Sequence, residues 1–470
     1  MNTTFDAYPD RRRKGLGPRK LLLPLLLLLL GVALVAFLRR SDEASLAFDS
    51  ELPAVGRNTT VTVTAGGTTR GLTGLRVEAV QGDQRLILME EEFEADPWWA
   101  FWSRGKTDAS VDVAIGRDVW PALHPGTVTL RAEATTAGSP FGGSKSTRHE
   151  LELPVRLVPP SIESLSEVDV VRQGGAGVVT YLVGENSIRD GVRVGGHFFP
   201  GTDLSRVFPS AESQIRFAFF AVPHDLADPA EVRLTAVDEL GNSVERPFLQ
   251  RFDRRTFKTD DIRVTDGFLE DVVPEILSQT PSLRSTGIQV DDYVTINRDL
   301  RAENRQRLLE IGQQSSDELR WRRAFLQMPG SSVMAGFGED RTYLYDGRVI
   351  DRQTHLGYDL ASIRRAEIPA AADATVSLAE FFGIYGNTVV LDHGFGVMTL
   401  YSHLSQIDVA VGDRVQRGDT LGRTGTTGLA GGDHLHFAVL IRGVQVDPLE
   451  WLDPTWVETR IASKLKAAAD

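Results

Sequence analysis

The chain has 470 residues, with 64 acidic and 51 basic residues and a formal net charge of −13. Its length suggests roughly three domains of about 100–200 residues each. The acidic balance, without a long basic stripe in the globular part, argues against nucleic acid as a partner. The absence of cysteine excludes a disulfide scaffold and a cysteine nucleophile, so any metal site must use imidazole and carboxylate ligands.

An apolar run from Leu21 to Leu38 lies between basic residues on both sides. This run predicts a transmembrane anchor over 21–38, close to the about 20 residues that a span needs. The basic excess on its N-terminal side predicts a cytoplasmic tail over 1–20. The protein would then be a single-pass protein of the cytoplasmic (inner) membrane with its bulk periplasmic. A cleavable signal peptide is the alternative, although its apolar core is usually shorter, about 7–15 residues.

The region after the anchor is predicted to be mainly β. Alternating apolar and polar residues, as in Val61–Thr64 and Val128–Ala132, recur between turn residues over 48–158. Pro159 and Pro160 then mark a boundary, and a second β region follows over 161–252. Both regions are predicted to be immunoglobulin-like β-sandwich domains that act as spacers or partner-binding arms.

The apolar spacing changes from β-like to helical over 256–327. The prediction is a helical linker that either exposes a solvated face or packs over a neighbouring cleft as a regulatory segment. Short strands and glycine-rich turns return over 328–453, which is predicted to be a compact C-terminal domain. A C-terminal tail occupies 454–470, with a short helix near its end.

Five of the nine histidines lie in the last quarter of the chain, and two of them, His434 and His436, are two residues apart. An apolar run follows them and predicts a strand, on which both imidazoles leave the same face about 7 Å apart. That arrangement suits one metal ligand and one histidine that is free for proton transfer. A solvated strand is the other interpretation of the pair.

His355 and Asp359 are four residues apart and could face one side of a helix or of a strand. Imidazole and carboxylate are natural Zn²⁺ ligands, and one more ligand from His434 or His436 makes three, the number in catalytic zinc sites. His403 alone would be an ordinary polar residue, and it gains weight from the other histidines. His393 is predicted to be structural or to line the cleft.

These phrases resemble the three signatures of the M23 peptidases, the lysostaphin and LytM type. The resemblance runs in unbroken order over about 335–448. The motifs that carry it are His355-x-Gly357-x-Asp359, Tyr401-x-His403-Leu404 and His434-Leu435-His436, with the glycine-rich stretch Val411–Gly428 between the last two.

The resemblance implies a zinc endopeptidase that cuts peptidoglycan stem or bridge peptides, built on an antiparallel β domain with an open groove. It implies one Zn²⁺ held by His355, Asp359 and His436. It also implies that His434 is a general base and that His403 orients the water or stabilises the oxyanion. Tyr401 is a further candidate for an oxyanion hydrogen bond.

The overall prediction is a membrane-anchored, mainly β metallopeptidase of the cell envelope. Its partners would be peptidoglycan peptides, the membrane through the N-terminal helix, and envelope proteins through the β domains. The alternative is a non-catalytic M23-like envelope protein that binds the wall and regulates other wall hydrolases. The presence of His355, Asp359 and His436 argues for the enzyme.

Overall fold

The structure is a computed structural model. It describes residues 18–38, 42–97, 99–100, 103, 105–138, 143–166, 168–212 and 214–470. The basic tail predicted over 1–20 lies outside these residues except for its last three. Helix α1 (Pro18–Leu38) covers the run predicted as an anchor. Within the described ranges, no helix combines the length and the apolar character that crossing a membrane requires, so the predicted span is not supported.

The chain divides into two compact units, and the first comprises Met1–Val158 with Glu239–Asn242. Its described strands are β1 (Ser45–Asp49), β2 (Thr59–Gly66), β3 (Leu72–Gln81), β4 (Gln84–Glu92), β5 (Ala109–Ile115), β6 (Gly126–Thr136) and β7 (Ser146–Val155). They form two antiparallel sheets in the orders β1-β2-β5 and β4-β3-β6-β7. Val63 and Val113 of the first sheet share a core with Val77 and Val128 of the second. The alternating pattern therefore builds a two-sheet sandwich, because every second side chain points inward.

The second unit comprises Pro159–Asp238 and Ser243–Asp470, and it begins with further β structure. The strands are β8 (Ile162–Ser164), β9 (Val168–Arg172), β10 (Ala176–Val183), β11 (Ser187–Val194), β12 (His197–Pro200), β13 (Thr202–Asp203), β14 (Ile215–Ala221), β15 (Val232–Asp238), β16 (Ser243–Arg246) and β17 (Leu249–Asp253). Two four-stranded sheets have the orders β13-β14-β10-β8 and β12-β11-β15-β16, and β17 pairs with β9 in parallel. Short 3-10 turns lie at Leu204–Arg206 and Pro229–Glu231.

The segment predicted as a helical linker is only partly helical. It contains β18 (Thr259–Arg263), α2 (Asp266–Gln279), α3 (Gln289–Thr295), a π-helical turn (Ile296–Leu300) and α4 (Arg301–Gln313). The helical spacing predicted across Leu319–Phe325 is wrong, since residues 314–327 are not helical. The Ser315 hydroxyl and the Ser316 amide instead bond the Asp392 carboxylate at 2.6 and 2.8 Å. Such side-chain bonds compete with helix formation.

The C-terminal part is built on a large antiparallel sheet, as predicted. Its strands and those beside it are β19 (Ser332–Ala335), β20 (Glu339–Tyr345), β21 (Arg348–His355), β22 (Tyr358–Ala361), β23 (Glu367–Pro369), β24 (Ala374–Phe381), β25 (Asn387–Asp392), β26 (Val397–Ser402), β27 (Leu404–Ile407), β28 (Arg414–Val415), β29 (Thr420–Thr424), β30 (Leu435–Ile441) and β31 (Val444–Val446). The large sheet has the order β19-β22-β30-β26-β25-β24-β28, with β31 paired to β30. Smaller sheets have the orders β18-β20-β21 and β23-β29-β27.

The tail predicted over 454–470 is helical through most of its length. A short helix, α5 (Pro448–Leu452), ends the sheet domain. The tail then consists of α6 (Pro454–Val457), a π-helical turn (Glu458–Ala462) and α7 (Ser463–Ala469). Within the sheet domain, a 3-10 turn (Gly383–Tyr385) lies before β25.

The two faces of the large sheet are covered by different parts of the second unit. On β30, Ala438 and Leu440 pack in one core with the helical segment, including Ile276 and Leu308. The alternate residues of the same strand belong to a second core, which the sheet shares with β14 and β10. His436 has the same parity as Ala438, so its side chain lies on the face that the helical segment covers.

Aromatic side chains join the second β region to the other face of the sheet. The rings of Phe217 and Phe395 lie 5.2 Å apart, and the ring of Phe219 lies 6.5 Å from that of Trp451. Trp451 also stacks on Phe325 at 5.5 Å. The sequence predicts separate spacer and C-terminal domains, whereas the structure gives 161–252 and the sheet a common core.

A buried carboxyl in this core makes stability depend on pH. Glu450, 7% exposed, accepts a hydrogen bond from the Ala176 amide at 2.9 Å. Burial raises its pKa from 4.5 to about 7. The folded state holds this proton more tightly than the unfolded state does. The contribution of protonated Glu450 to the free energy of unfolding is therefore fully present below pH 4.5, and it is lost as the pH rises through about 7. At ~1.4 kcal/mol per pKa unit, the loss of stability is at most about 3.5 kcal/mol.

Glu450→Gln should therefore unfold at a higher temperature than the wild type at pH 8 and at a similar temperature at pH 4.5. The amide oxygen still accepts from Ala176 but does not ionise. Thermal unfolding of both proteins across this range is the measurement, with the exposed Glu303→Gln as the matched control. An unchanged difference between Glu450→Gln and wild type at the two pH values would contradict the assignment.

Candidate active site

Three side chains from three strands converge at one point on the helix-covered face of the sheet. The His355 Nε2 atom, at the end of β21, lies 3.0 Å from the Asp359 Oδ1 atom on β22. The His436 Nδ1 atom on β30 lies 2.9 Å from the same oxygen and 3.0 Å from His355 Nε2. Asp359 and His436 are direct partners in the β22–β30 register. The pairing of two central strands therefore brings together residues 77 positions apart.

His355 and Asp359 lie on two successive strands and not on one helix or one strand, which corrects the sequence-based expectation. The turn between them contains Gly357. A Cβ atom at this position would lie 2.6 Å from His436 Nε2 and 2.8 Å from the Phe437 carbonyl oxygen. Glycine thus lets the His355–Asp359 turn approach the imidazole of His436.

The donor atoms of this cluster fit a zinc ion. Nδ1–H of His355 donates to the Gly336 carbonyl oxygen at 2.8 Å, which leaves the lone pair of Nε2 facing Asp359 and His436. Arg341 pairs with the other carboxylate oxygen, Oδ2 of Asp359, at 3.0 Å. Lone pairs this close repel unless a proton or a cation lies between them. Two imidazoles and a carboxylate, each oriented by a neighbour or by the strand, are a typical catalytic zinc ligand set.

Two further histidines lie beside this cluster, and each is oriented by a backbone carbonyl. Nδ1–H of His403 donates to the Thr427 oxygen at 2.8 Å, and Nδ1–H of His434 donates to the Gly432 oxygen at 2.7 Å. Their rings are 4.9 Å apart. In each ring Nε2 is therefore the nitrogen that remains for other partners. Nε2 of His434 lies 3.5 Å from Asp359 Oδ1.

His403 holds an unusual backbone conformation, with φ +65°. A non-glycine residue in the left-handed region costs on the order of 1–2 kcal/mol, and such residues concentrate at functional sites. Its amide donates to the Tyr385 carbonyl oxygen at 2.9 Å, which helps to hold the conformation. This conformation turns the chain at the end of β26.

The electrostatic environment separates the pKa values of the two histidines. Burial, together with the neighbouring His434 and His436, holds the pKa of His403 well below its usual range. Burial also opposes protonation of His434, but the hydrogen bond and charge of Asp359 raise its pKa above the ordinary value. His434 therefore accepts a proton more readily than His403, the usual basis for assigning base and partner in a pair.

Asp359 and His436 have the protonation states that binding of a cation requires. Burial opposes ionisation of Asp359, yet its electrostatic interactions with the surrounding imidazoles, that of His355 first, hold the pKa of this carboxyl well below its usual range. Burial lowers the pKa of His436 to about 4. At neutral pH the cluster thus offers a carboxylate and an unprotonated imidazole, the ligand forms.

The five histidine and aspartate side chains line one groove of about 420 Å³. Two residues named in the sequence analysis lie elsewhere. The Tyr401 hydroxyl is buried between the Ala371 amide at 2.8 Å and the Thr399 hydroxyl at 3.0 Å, on the opposite face of β26, so its oxyanion role is wrong. His393 is fully buried and bonded to the Asp373 carbonyl and Thr399, which makes it structural.

Sequence reasoning missed several groove residues, among them Tyr385, Arg341 and Arg301. The Tyr385 ring lies 5.7 Å from that of His436. No local motif marks these positions, because they reach the groove from the turn before β25, from β20 and from α4.

Residues 353–448 match the family model of peptidase family M23. The chain contains an M23 peptidase domain. The match begins two residues before His355 and ends after His436, so it includes all three converging ligand candidates and the histidine pair beside them.

Curated relatives share this M23 domain. The chain is 39% identical over 101 residues to the DD-carboxypeptidase/endopeptidase Mpg of Neisseria meningitidis, covering 22% of this chain and 23% of Mpg. It is 34% identical over 131 residues to the peptidoglycan DD-endopeptidase ShyA of Vibrio cholerae, covering 27% and 30%. It is also 34% identical over 96 residues to the murein hydrolase activator EnvC of Escherichia coli, covering 20% and 23%. The chain thus spans less than a third of the length of these relatives.

Gly357→Ala should disturb the M23 site through the close approach described above. The added methyl group must displace the His436 ring or the β30 backbone, and we expect bound zinc and activity to fall by at least about 10-fold, as for loss of an orienting partner. Metal analysis of the purified protein is the measurement. Gly431→Ala, where an added Cβ has no neighbour within 4 Å, is the control and should retain zinc. Equal zinc content in the two variants would contradict the steric argument.

Proposed function

We propose that the protein is a zinc-dependent endopeptidase that hydrolyses peptide cross-links of peptidoglycan in the cell envelope. The observation that carries this proposal is the convergence of His355 Nε2, Asp359 Oδ1 and His436 Nδ1 within 3.0 Å, with two oriented histidines beside them. A buried cluster of this composition at the floor of a groove has the ligands of a catalytic zinc site and space for a peptide.

The proposed roles follow from the geometry of each side chain. His355, Asp359 and His436 would hold the ion, and Arg341 would keep the Asp359 carboxylate in position. When bound, zinc supplies Lewis acidity that polarises a carbonyl group and acidifies water near neutral pH. His434, whose Nε2 atom lies beside the cluster and whose pKa is raised, would take the proton from the attacking water.

His403 would act as a hydrogen-bonding partner and not as a base. Its lowered pKa keeps it neutral, and its Nδ1–H is already used by the Thr427 carbonyl oxygen. Nε2 then carries a lone pair, which can accept a hydrogen bond from water and orient it toward the scissile carbonyl. Proton transfer and water orientation are therefore divided between the two imidazoles.

The substrate class rests on the relatives. Mpg and ShyA are named for carboxypeptidase and endopeptidase activities, and ShyA for peptidoglycan. These matches cover only 22% and 27% of this chain, so the peptidoglycan substrate is proposed on the basis of that part of the sequence. Partners of the remaining β structure would be envelope proteins.

A second function has support from one relative, because EnvC is a murein hydrolase activator. The chain would then bind the wall and regulate other hydrolases without cutting. The intact ligand set and the oriented histidine pair favour the enzyme, since an activator has no chemical need for them. The regulatory role of 256–327 also stays a prediction.

The proposed location is the cell envelope, in line with the wall activity of the relatives. A single-pass anchor over 21–38, with the bulk periplasmic, rests on the basic-flanked apolar run and not on the structure. Carbonate washing of isolated membranes tests it: an anchored protein stays with the membrane pellet and is released by detergent. Release by carbonate alone would contradict the anchor.

Digestion of purified peptidoglycan by the full chain tests the enzymatic proposal. The helical segment shares a core with the large sheet, so the full chain is the appropriate protein. Mass spectrometry of the released muropeptides should show cross-linked species converted to monomers, and thereby identify the bond that is cut. A chelator should stop the reaction and zinc should restore it. Absence of cleavage, together with stimulation of another wall hydrolase, would favour the activator.

A further inference from the structure

The groove that contains the candidate zinc site has a strong excess of positive charge. Three arginines line it in the described part of the chain, Arg263, Arg301 and Arg341, whereas Asp359 is the one acidic residue among its lining. Arg341 already pairs with Asp359 at 3.0 Å. Arg263 and Arg301 form no ion pair with any acidic group of the described residues. A bound divalent cation would increase the excess further.

Of the two arginines without an ion pair, Arg301 is the one whose side chain is positioned by hydrogen bonds. Its Nε donates to the Asn297 carbonyl oxygen at 3.0 Å, and one of its terminal nitrogens donates to Asn297 Oδ1 at 2.6 Å. These two bonds use two of the five N–H groups of the guanidinium. The other terminal nitrogen and one remaining N–H keep their donors for a ligand.

Asn297 is itself fixed to the sheet. Its side-chain amide donates to the buried Asp351 carboxylate on β21 at 2.8 Å, and Arg298 pairs with the same carboxylate at 3.2 Å. The charge of Asp351 is thus compensated by Arg298 and does not neutralise Arg301. Asn297 lies in the π-helical turn that precedes α4, a type of turn that is frequent at functional sites. Asp351 thus holds Asn297, and Asn297 holds the Arg301 guanidinium, so this cationic group is oriented before any substrate arrives.

We propose that Arg301 is a specificity-determining residue that binds a free carboxylate of the peptide substrate in the zinc groove. The inference rests on the proposed peptidase function and adds a requirement to it: the cleaved peptide carries an ionised carboxylate near its scissile bond. A planar guanidinium with a fixed orientation suits a carboxylate, because two parallel N–H···O bonds are then available. The positive groove supplies the complementary charge.

The test compares two synthetic cross-linked peptides that differ only in whether the carboxylates beside the scissile bond are free or amidated. The zinc-loaded full chain should cleave the free form with a kcat/KM at least about 10-fold higher, as expected for a charge-assisted hydrogen-bonded pair. The difference should lie mainly in KM. Arg301→Gln should lose this preference, and Arg301→Lys should restore part of it.

Arg305→Gln is the matched control. Arg305 lies one helical turn further along α4, is exposed and lies outside the lining of the groove, and its replacement changes the net charge equally. This variant should keep the wild-type preference. An equal loss on both peptides in Arg301→Gln, or no preference in the wild type, would overturn the proposal.

Binding separates this inference from the proposed peptidase function. Calorimetric titration of each peptide into the wild type and Arg301→Gln reports carboxylate recognition whether or not the peptide is cut. Tighter binding of the free form that disappears in Arg301→Gln, without cleavage by the wild type, would support the inference and refute the peptidase. Cleavage of both peptides at equal rates and with equal affinity would support the peptidase and refute carboxylate recognition by Arg301.

Discussion

His436→Ala should lose bound zinc and peptidase activity together. The imidazole supplies one of the three converging atoms, and the remaining pair, His355 and Asp359, cannot complete the ligand count of a catalytic zinc site. The fall in zinc affinity should exceed the roughly 10–100-fold that loss of an orienting neighbour causes. Metal analysis after dialysis and digestion of purified peptidoglycan measure the two effects on one sample.

The control for this variant is His124→Ala, which removes an exposed histidine from the first unit and should change neither property. The structure also predicts that His436→Ala folds, because alanine keeps the β30 backbone pairing with β22. A folded His436→Ala protein with stoichiometric zinc would contradict the ligand assignment.

His434→Ala should keep most of its zinc and lose turnover. Nε2 of His434 lies 3.5 Å from Asp359 Oδ1, outside the group of three atoms that meet within 3.0 Å. Its raised pKa and the position of Nε2 beside the cluster favour proton transfer, whose loss typically lowers kcat by about 10²–10⁴. KM should change little, because His434 acts in the transition state.

Comparison of His434→Ala with His436→Ala distinguishes a metal ligand from a general base. The two histidines are two residues apart, His434 one residue before β30 and His436 within it, so both variants remove the same chemical group from neighbouring positions. Metal content and steady-state kinetics on one peptide should separate the ligand from the base. Equal zinc loss in the two variants would refute this division of roles.

Much of the candidate site could be predicted from the sequence because its chemistry limits the residue types. A chain without cysteine can hold zinc only through histidine and carboxylate, and the phrases around His355, His403 and His434 stand close together in the last quarter. The alternation on β30 also predicts that His436 faces one side of a sheet. The order of the strands between these phrases has no such local signal.

The helical segment illustrates why part of the fold could not be predicted. Trp321 and Phe325 have helical spacing with Leu308, but they are buried against Trp451 in an irregular segment. The spacing of apolar residues predicts that these side chains are buried, but it does not predict the secondary structure in which they are buried. The same limit applies to 161–252. Its alternating pattern predicts a separate β-sandwich, whereas in the structure its side chains share a core with the large sheet.

The sequence by itself determined the ligand types, the β character of most of the chain and the parity of His436, because these depend on side-chain chemistry and on local period. Only the tertiary structure decided that Tyr401 faces away from the groove, that Tyr385 lines it, and that Arg301 is aimed into it by Asn297. Whether each of these residues reaches the groove depends on how segments far apart in the chain pack together, and the energy of that packing involves whole sheets and helices, which no local pattern contains.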